Sequence, residues 1–177
     1  MSEPRDDATP PAAPSIATVI RLDTASCMVM CDGAAVRCTL PGKWRLDQRG
    51  QARHIAVGDR VEVSLLPSGE GTLGEVQPRQ GGKLSRKAAG DRDVEQVVAA
   101  NVDQLVVVMA AAEPPLNRRL LDRLVVSGEN GRLSVLICLN KSDLVDEAAA
   151  APLLGLYRAL GYRAIATSAL TGAGVAE

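Results

Sequence analysis

In its second half the chain switches repeatedly between two hydrophobic periods, and that alternation limits the fold more than any other feature. The run LVVVMA (105–110) is continuously apolar, as expected of a strand buried on both faces. Leu116, Leu120, Leu121, Leu124 and Val125 then recur at helical spacing, with Gly128 and Gly131 placed to end the helix. LSVLICL (133–139) predicts a second buried strand. Residues 146–160 predict a second helix, with Leu153, Leu156, Tyr157 and Leu160 on one face and Gly161 as its stop. RAIAT (163–167) predicts a third strand. Strand, helix, strand, helix, strand with right-handed crossovers describes an α/β unit with parallel strands.

The first half reads differently. IATVIRL, CMVMC, AVRCTL, RVEVSLL and TLGEVQ are β-branched or alternating, and Asp32-Gly33, Pro41-Gly42 and Gly69-Glu70-Gly71 separate them. So many short strands in residues 16–78 predict an all-β closed barrel, because closure removes exposed edges. Periodicity leaves OB-type and SH3-like barrels open, and the OB type is the natural candidate. Residues 1–15, acidic and proline-rich, read as a disordered leader, and 79–101, rich in Gly, Lys and Arg, as a linker or loop. Residues 102–177 form the α/β unit.

Composition removes several classes of function. A net charge of -1 gives no whole-molecule attraction to nucleic acid. Trp44, Tyr157 and Tyr162 are the only aromatic residues, too few for a base-stacking platform. No apolar run approaches the ~20 residues that cross a bilayer, and the leader lacks the apolar core of a signal peptide. A cytoplasmic, membrane-free protein is expected. The cysteines at 27, 31, 38 and 138 share the chain with a single histidine, His54, and no Cys-x-x-Cys spacing. Buried reduced thiols are therefore expected rather than a metal site.

Asn140-Lys141-Ser142-Asp143 begins where LSVLICL stops, and Thr167-Ser168-Ala169 sits where RAIAT stops. Ligands of open α/β sheets bind at the carboxyl ends of the strands, so both segments are expected on one rim. Their chemistry suits guanine, whose ring N–H and exocyclic amino group lie side by side. An ionised Asp143, acceptor-only with two oxygens, can take both hydrogens. Adenine would leave that carboxylate unpaired, and such a site rejects the wrong analogue by roughly 10⁴-fold. Asn140 can meet the other edge of the purine or tie the loop to its neighbours. Lys141 can lay its methylene stem over the ring, and the Ala169 N–H can donate to the guanine keto oxygen. The bland alternative is a polar loop in which Ser142 or Asp143 caps the following helix.

The phosphate-binding partner of that motif is missing from residues 1–177. A P-loop needs Gly, four residues, then Gly-Lys-Ser/Thr. Gly42-Lys43 is followed by Trp44 and Gly82-Lys83 by Leu84, and the upstream positions hold Arg37 and Gln77. Asp47-Gln48-Arg49-Gly50 matches the loose Asp-x-x-Gly element of GTPases but falls in the barrel region, away from a parallel-strand end, and reads as coincidence. No catalytic residue and no metal ligand can be assigned.

NVDQLVVV, LNRRLLDRLVV, LNKSDL and YRALGYRAIATSA, in that order and behind a barrel, resemble the circularly permuted GTPase family RsgA, also called YjeQ or EngC. The barrel segments TLPGK (39–43) and VGDRV (57–61) and the lead-in EQVVAAN (95–101) agree. The resemblance covers about residues 16–175. It implies a GTPase, a phosphoric anhydride hydrolase, that assists late maturation of the small (30S) ribosomal subunit and binds its rRNA through the barrel. It implies GTP/GDP bound through Asn140, Lys141, Ser142, Asp143, Ser168 and Ala169, in a cytoplasmic monomer. It also implies Mg²⁺ and a structural Zn²⁺ whose ligands, with the P-loop and switches, would follow Glu177. On that reading this is an N-terminal portion, and no hydrolysis is expected of it alone.

Arg37, Lys43, Arg45, Arg49 and Arg53 cluster around Trp44, and Arg79, Lys83, Arg86 and Lys87 follow. On OB barrels such loops bind phosphates without reading sequence, and the first five are the RNA-binding candidates. The plain alternative is a solvated loop. Two further readings of the whole chain are a non-enzymatic RNA-binding module and an inactive truncated product.

Overall fold

The computed structural model describes residues 14–44, 55–87 and 95–176. Contacts divide the chain into two compact units. One runs to Gln80 and takes in Arg86–Asn101; the other comprises Gly81–Ser85 and resumes at Val102.

The first unit is a closed five-stranded barrel of OB type. Strands β1 (Ser15–Leu22), β2 (Ser26–Cys31), β3 (Ala34–Thr39), β4 (Arg60–Leu65) and β5 (Gly71–Val76) run in the order β1-β2-β3-β5-β4. β1 pairs antiparallel with β4 to close the ring, and β3 pairs parallel with β5. Asp32 and Gly33, both at positive φ, make the two-residue turn between β2 and β3, the geometry that matches the strand twist. Alternate residues point inward: Ala17 and Val19, Cys27, Val29 and Cys31, Val36 and Cys38, Val61 and Val63. Trp44, at the end of a 3₁₀ turn (Gly42–Trp44), joins them in the core with Leu40 and Ile55. Cys27 and Cys38 face each other across β2 and β3 and are fully buried. Burial, then the neighbouring Cys38, pushes the Cys27 thiol up to about 12, so it stays protonated.

One charged group lies inside this unit. Asp59 is 0% exposed, and an uncompensated carboxylate there would cost several kcal/mol. Arg79 meets it with two bonds, Nε to Oδ1 at 2.7 Å and Nη2 to Oδ2 at 2.9 Å, and the Ala56 N–H donates to Oδ2 at 2.7 Å. The same turn is fastened from the other side. Ala100 N–H donates to the Val57 carbonyl at 2.8 Å. The Asn101 amide donates to the Gly58 carbonyl and accepts from the Gln80 N–H, each at 2.9 Å. Gly58 has φ +87°, and a Cβ there would stand 2.1 Å from the Ala100 carbonyl oxygen, so only glycine fits.

The linker expected over 79–101 is corrected. It contains β6 (Gly82–Lys87) and β7 (Glu95–Val102), paired as a two-stranded sheet. Arg86 Nε donates to the Gln96 side chain at 3.0 Å. A two-stranded ribbon satisfies its backbone through pairing and needs no apolar alternation, so the Gly/Lys/Arg composition of β6 conceals it.

In the second unit β8 (Gln104–Ala110), β9 (Ser134–Asn140) and β10 (Arg163–Ala166) form a parallel sheet in the order β10-β9-β8. Helix α1 (Arg118–Asn130) is capped by the Asn117 side chain, which accepts from the Leu120 N–H at 3.0 Å. Helix α2 (Glu147–Ala159) ends before Gly161 at φ +93°. Both helices pack on one face of the sheet, against Val107, Val135, Ile137, Leu139 and Ala164. Tyr157 of α2 donates to Asp122 of α1 at 2.7 Å; burial, with that acceptor, pushes its phenol up to about 12.

Three expectations change here. β8 is not buried on both faces: Val106 is 47% and Val108 58% exposed, because both described helices of this unit cover the opposite face. The buried face of α2 is Ala150, Leu153, Leu154 and Tyr157, whereas Leu156 and Leu160 are exposed. The apolar letters of that segment outnumber the positions facing the sheet, so the stripe could be drawn one residue round. Gly128 lies inside α1 rather than ending it, packed close to Val135 and Leu105.

The buried ion pair yields a direct test. Arg79→Met removes the cation and leaves Asp59 enclosed, and is expected to destabilise the barrel by about 2–4 kcal/mol at neutral pH. Urea unfolding followed by circular dichroism measures it; a loss below about 0.5 kcal/mol, the scale of an exposed pair, would show that the bridge holds nothing.

Candidate functional site

The rim of the second unit is assembled by two neighbouring strands. β9 and β10 are parallel and in register from Leu136↔Arg163 to Leu139↔Ala166, so their carboxyl ends stop at the same height. The ladder continues one step beyond the strands, with the Thr167 N–H on the Leu139 carbonyl at 2.9 Å. The chain then turns on Lys141, at φ +61°, into a 3₁₀ turn (Ser142–Leu144).

Cross-links join the two segments. The Ser142 N–H donates to the Thr167 carbonyl at 3.0 Å. The Ser168 hydroxyl donates to Asp143 Oδ1 at 2.5 Å. Asn140 Oδ1 accepts from the Ala169 N–H at 3.1 Å and from the Thr167 hydroxyl at 3.3 Å. Ser168 and Thr167 are buried, whereas Lys141, Asp143 and Ala169 are exposed and Asn140 and Ser142 lie between. All six sequence-predicted base-binding residues therefore stand on one rim. The capping alternative gains no support, since the residue preceding α2 is Asp146.

Two expected roles take a different form. The Ala169 N–H, expected to face a keto oxygen, is engaged by Asn140 in this structure. Lys141 Nζ donates to the Glu113 carbonyl in the segment after β8, which draws its stem along the rim. Sequence reasoning missed Glu113, because a backbone acceptor carries no side-chain signal. It also missed the turn beneath Ser168. There the Thr171 N–H donates to Ser168 Oγ at 3.1 Å and the Ser168 N–H to the Ala173 carbonyl at 2.9 Å. Gly174, at φ +67°, brings its Cα so near the strand that a Cβ would lie 2.1 Å from the Ala166 carbonyl oxygen. The spacing Gly172-Ala173-Gly174, two residues after the motif, was the available clue.

The basic cluster is only partly described. Arg37 lies exposed on β3, opposite Met28 of β2. Lys43 belongs to the 3₁₀ turn, and its side chain lies outside the described residues, as do Arg45, Arg49 and Arg53 and the Asp47–Gly50 element. Trp44 is 8% exposed in the barrel core, so it supplies no stacking surface. Arg79 is committed to Asp59. Among the described residues no group of three or more His, Cys, Asp or Glu side chains is placed to hold a metal ion.

The chain is 34% identical over 142 residues to the small ribosomal subunit biogenesis GTPase RsgA of Caldanaerobacter subterraneus subsp. tengcongensis, covering 80% of this chain and 43% of that protein. It is 36% identical over 154 residues to the protein of the same name from Chlorobaculum tepidum, covering 82% and 49%. It thus spans about half the length of the curated relatives it matches. The crystal structure of YjeQ from Thermotoga maritima superposes with a TM-score of 0.66 at 28% identity, over 90% of this chain and 53% of that one. That of YloQ, described as a circularly permuted GTPase, superposes at 0.62 and 24% identity, over 94% and 55%, a likeness of fold. The family model described as RsgA GTPase matches residues 76–177, more than half of the sequence, and the chain belongs to the RsgA GTPase family.

Proposed function

We propose that this chain supplies the guanine-reading rim and the RNA-contacting barrel of a cytoplasmic, GTP-binding factor for biogenesis of the small ribosomal subunit. The observation that carries the guanine reading is the bond between Ser168 and Asp143, from two segments 25 residues apart, at 2.5 Å. It orients a carboxylate at the carboxyl end of a parallel sheet, with its second oxygen and remaining lone pairs available to the paired N–H groups of guanine. Lys141 flanks the ring and Asn140 meets its imidazole edge. The names of the relatives support the ribosomal role, and Arg37 on the outer wall of β3 occupies the barrel face that OB folds use for nucleic acid. A monomer acting in the cytoplasm fits this role; no described helix is long and apolar enough to cross a membrane.

The family implies GTP or GDP with Mg²⁺. The rim fits the base. The described residues do not fit Mg²⁺ or a structural Zn²⁺, since no cluster of ligands is placed for either, and no P-loop stands in residues 1–177. Phosphoryl transfer depends on holding the γ-phosphate and metal in line with water, so this polypeptide binds and orients a base without supplying that chemistry.

Asp143→Asn replaces an acceptor by a mixed donor and acceptor. Guanine nucleotide should weaken by about tenfold or more while xanthine nucleotide gains relative to it, a change readable by NMR titration with GDP and XDP. Unaltered preference for GDP would remove Asp143 from the site. The purified 177-residue chain should release no phosphate from GTP above the uncatalysed background; measurable turnover would contradict the assignment of catalysis to other segments. Filter binding to small ribosomal subunits should weaken linearly in log salt, with Arg37→Ala lowering the slope by about one. Tight binding with no salt slope would sink the RNA reading. Affinity indifferent to GDP would favour an RNA-binding module that ignores nucleotide.

A further inference from the structure

On the helix-covered face of the parallel sheet, a cleft opens between the start of α1 and the start of α2. It encloses about 270 Å³ and is walled by Leu116, Leu139, Val145, Ala149 and Leu153, with Arg118 as its charged lining residue. Pockets for small molecules span roughly 300–1,000 Å³. This space is smaller, and suits a single leucine- or methionine-sized side chain.

The helix beside the cleft lacks an ordinary solvent face. Surface helices turn charged side chains towards water. α2, EAAAAPLLGLYRA, instead exposes Ala148, Ala151, Pro152, Gly155 and Leu156, with Leu160 at its cap. The Arg158 guanidinium is drawn aside, Nε and Nη2 both donating to the Ala164 carbonyl at 2.9 and 2.6 Å. Leu156 and Leu160 follow Ala149 by about two and three turns, which puts them on the side of α2 where the cleft opens. They are 53% and 63% exposed. An apolar pocket beside a surface depleted of charge has the composition of an interface core, with the pocket as the place for an anchoring side chain.

The charges on α1 say what kind of partner fits. Its acids are already engaged: Asp122 accepts from the Tyr157 hydroxyl at 2.7 Å, and Glu129 lies against the Tyr162 phenol. Arg118, Arg119 and Arg123 are exposed, and among the described residues no hydrogen bond or ion pair engages their guanidinium groups. A carboxylate on the partner would complete them. RNA phosphates would meet the arginines but leave the cleft and the apolar side of α2 in water. A second copy of the chain, joined by a two-fold axis, would bring the same patch and the same cations.

We propose that the groove between α1 and α2 docks an acidic amphipathic helix of a partner protein, with one apolar side chain seated in the cleft and a carboxylate beside it on Arg118. This is the helix-in-groove mode of recognition.

The probe is a synthetic helical peptide with leucines along one face and glutamates on its flanks, titrated into the 177-residue chain and followed by NMR. Amide shifts are expected at Leu116, Arg118, Ala149, Leu153 and Leu156. The same peptide with lysine in place of glutamate should bind at least about threefold more weakly, and Arg118→Glu should erase that difference. Ala149→Glu and Leu156→Glu, both at exposed positions, set a charge at the cleft and along the groove. Each should weaken the glutamate peptide by about tenfold or more, with circular dichroism confirming the fold. Should one of them unfold, the other decides. Absence of shifts in α1 and α2, equal affinity for both peptides, or undiminished binding in the folded variants would overturn the proposal. So would oligouridylate shifting these amides more strongly than the peptide does, in favour of a nucleic-acid surface. Concentration-dependent shifts at Leu156 in the free chain would also overturn it, in favour of a second copy.

Discussion

Parallel pairing between β9 and β10 is the constraint on which the candidate site depends. Neighbouring parallel strands share a direction, so their carboxyl ends can meet only if the register is held along their length. Here it is held from Leu136↔Arg163 to Leu139↔Ala166, and Thr167 extends it by one bond. A slip of one residue would also turn Ala164 out of the core. The apolar packing of Ile137, Leu139 and Ala164 beneath the helices therefore does more than stabilise the sheet. It fixes the height at which Asn140 and Ser168 emerge, and the polar cross-links then adjust positions already close.

The barrel answers to a different constraint. Its ring is closed by backbone pairing between β1 and β4, but the turn leading into β4 must carry a carboxylate through the interior. Asp59 accepts from Arg79 and from the Ala56 N–H, while Gly58 gives the passing strand room to approach. Hydrophobic alternation sets the wall. A buried charge, satisfied on several sides, sets where the chain turns; such pairs stabilise little when intact and cost much when broken.

How much of this was legible depended on whether the informative group was a side chain in a periodic setting. The apolar runs of β8 and β9 and the motif at Asn140–Asp143 declare themselves through residue type and position. The order strand, helix, strand placed both motifs on one rim without coordinates. Periodicity could not tell which face of β8 would be covered, because LVVVMA reads alike whether helices lie on one side or both; Val108 is 58% exposed. Nor could composition distinguish a paired ribbon from a loop at 82–87, where the ordering bonds are between backbones. Arg79 reads as one more cation of the basic stretch, and Trp44 as an aromatic interleaved among arginines. Their true partners, Asp59 and the barrel core, become visible only when strands distant in sequence are brought together.

The placement of the aromatic residues has an optical consequence. The sole tryptophan, Trp44, is enclosed in the barrel, and both tyrosines, with rings 6.4 Å apart in an edge-to-face arrangement, belong to the parallel-sheet unit. Red-edge excitation therefore addresses the barrel alone, through the shift in emission that follows when a buried indole meets water. Phenolic absorption and its near-ultraviolet ellipticity address the sheet unit. The chain carries its own pair of spectrally separate reporters, one for each compact body, without a label on either.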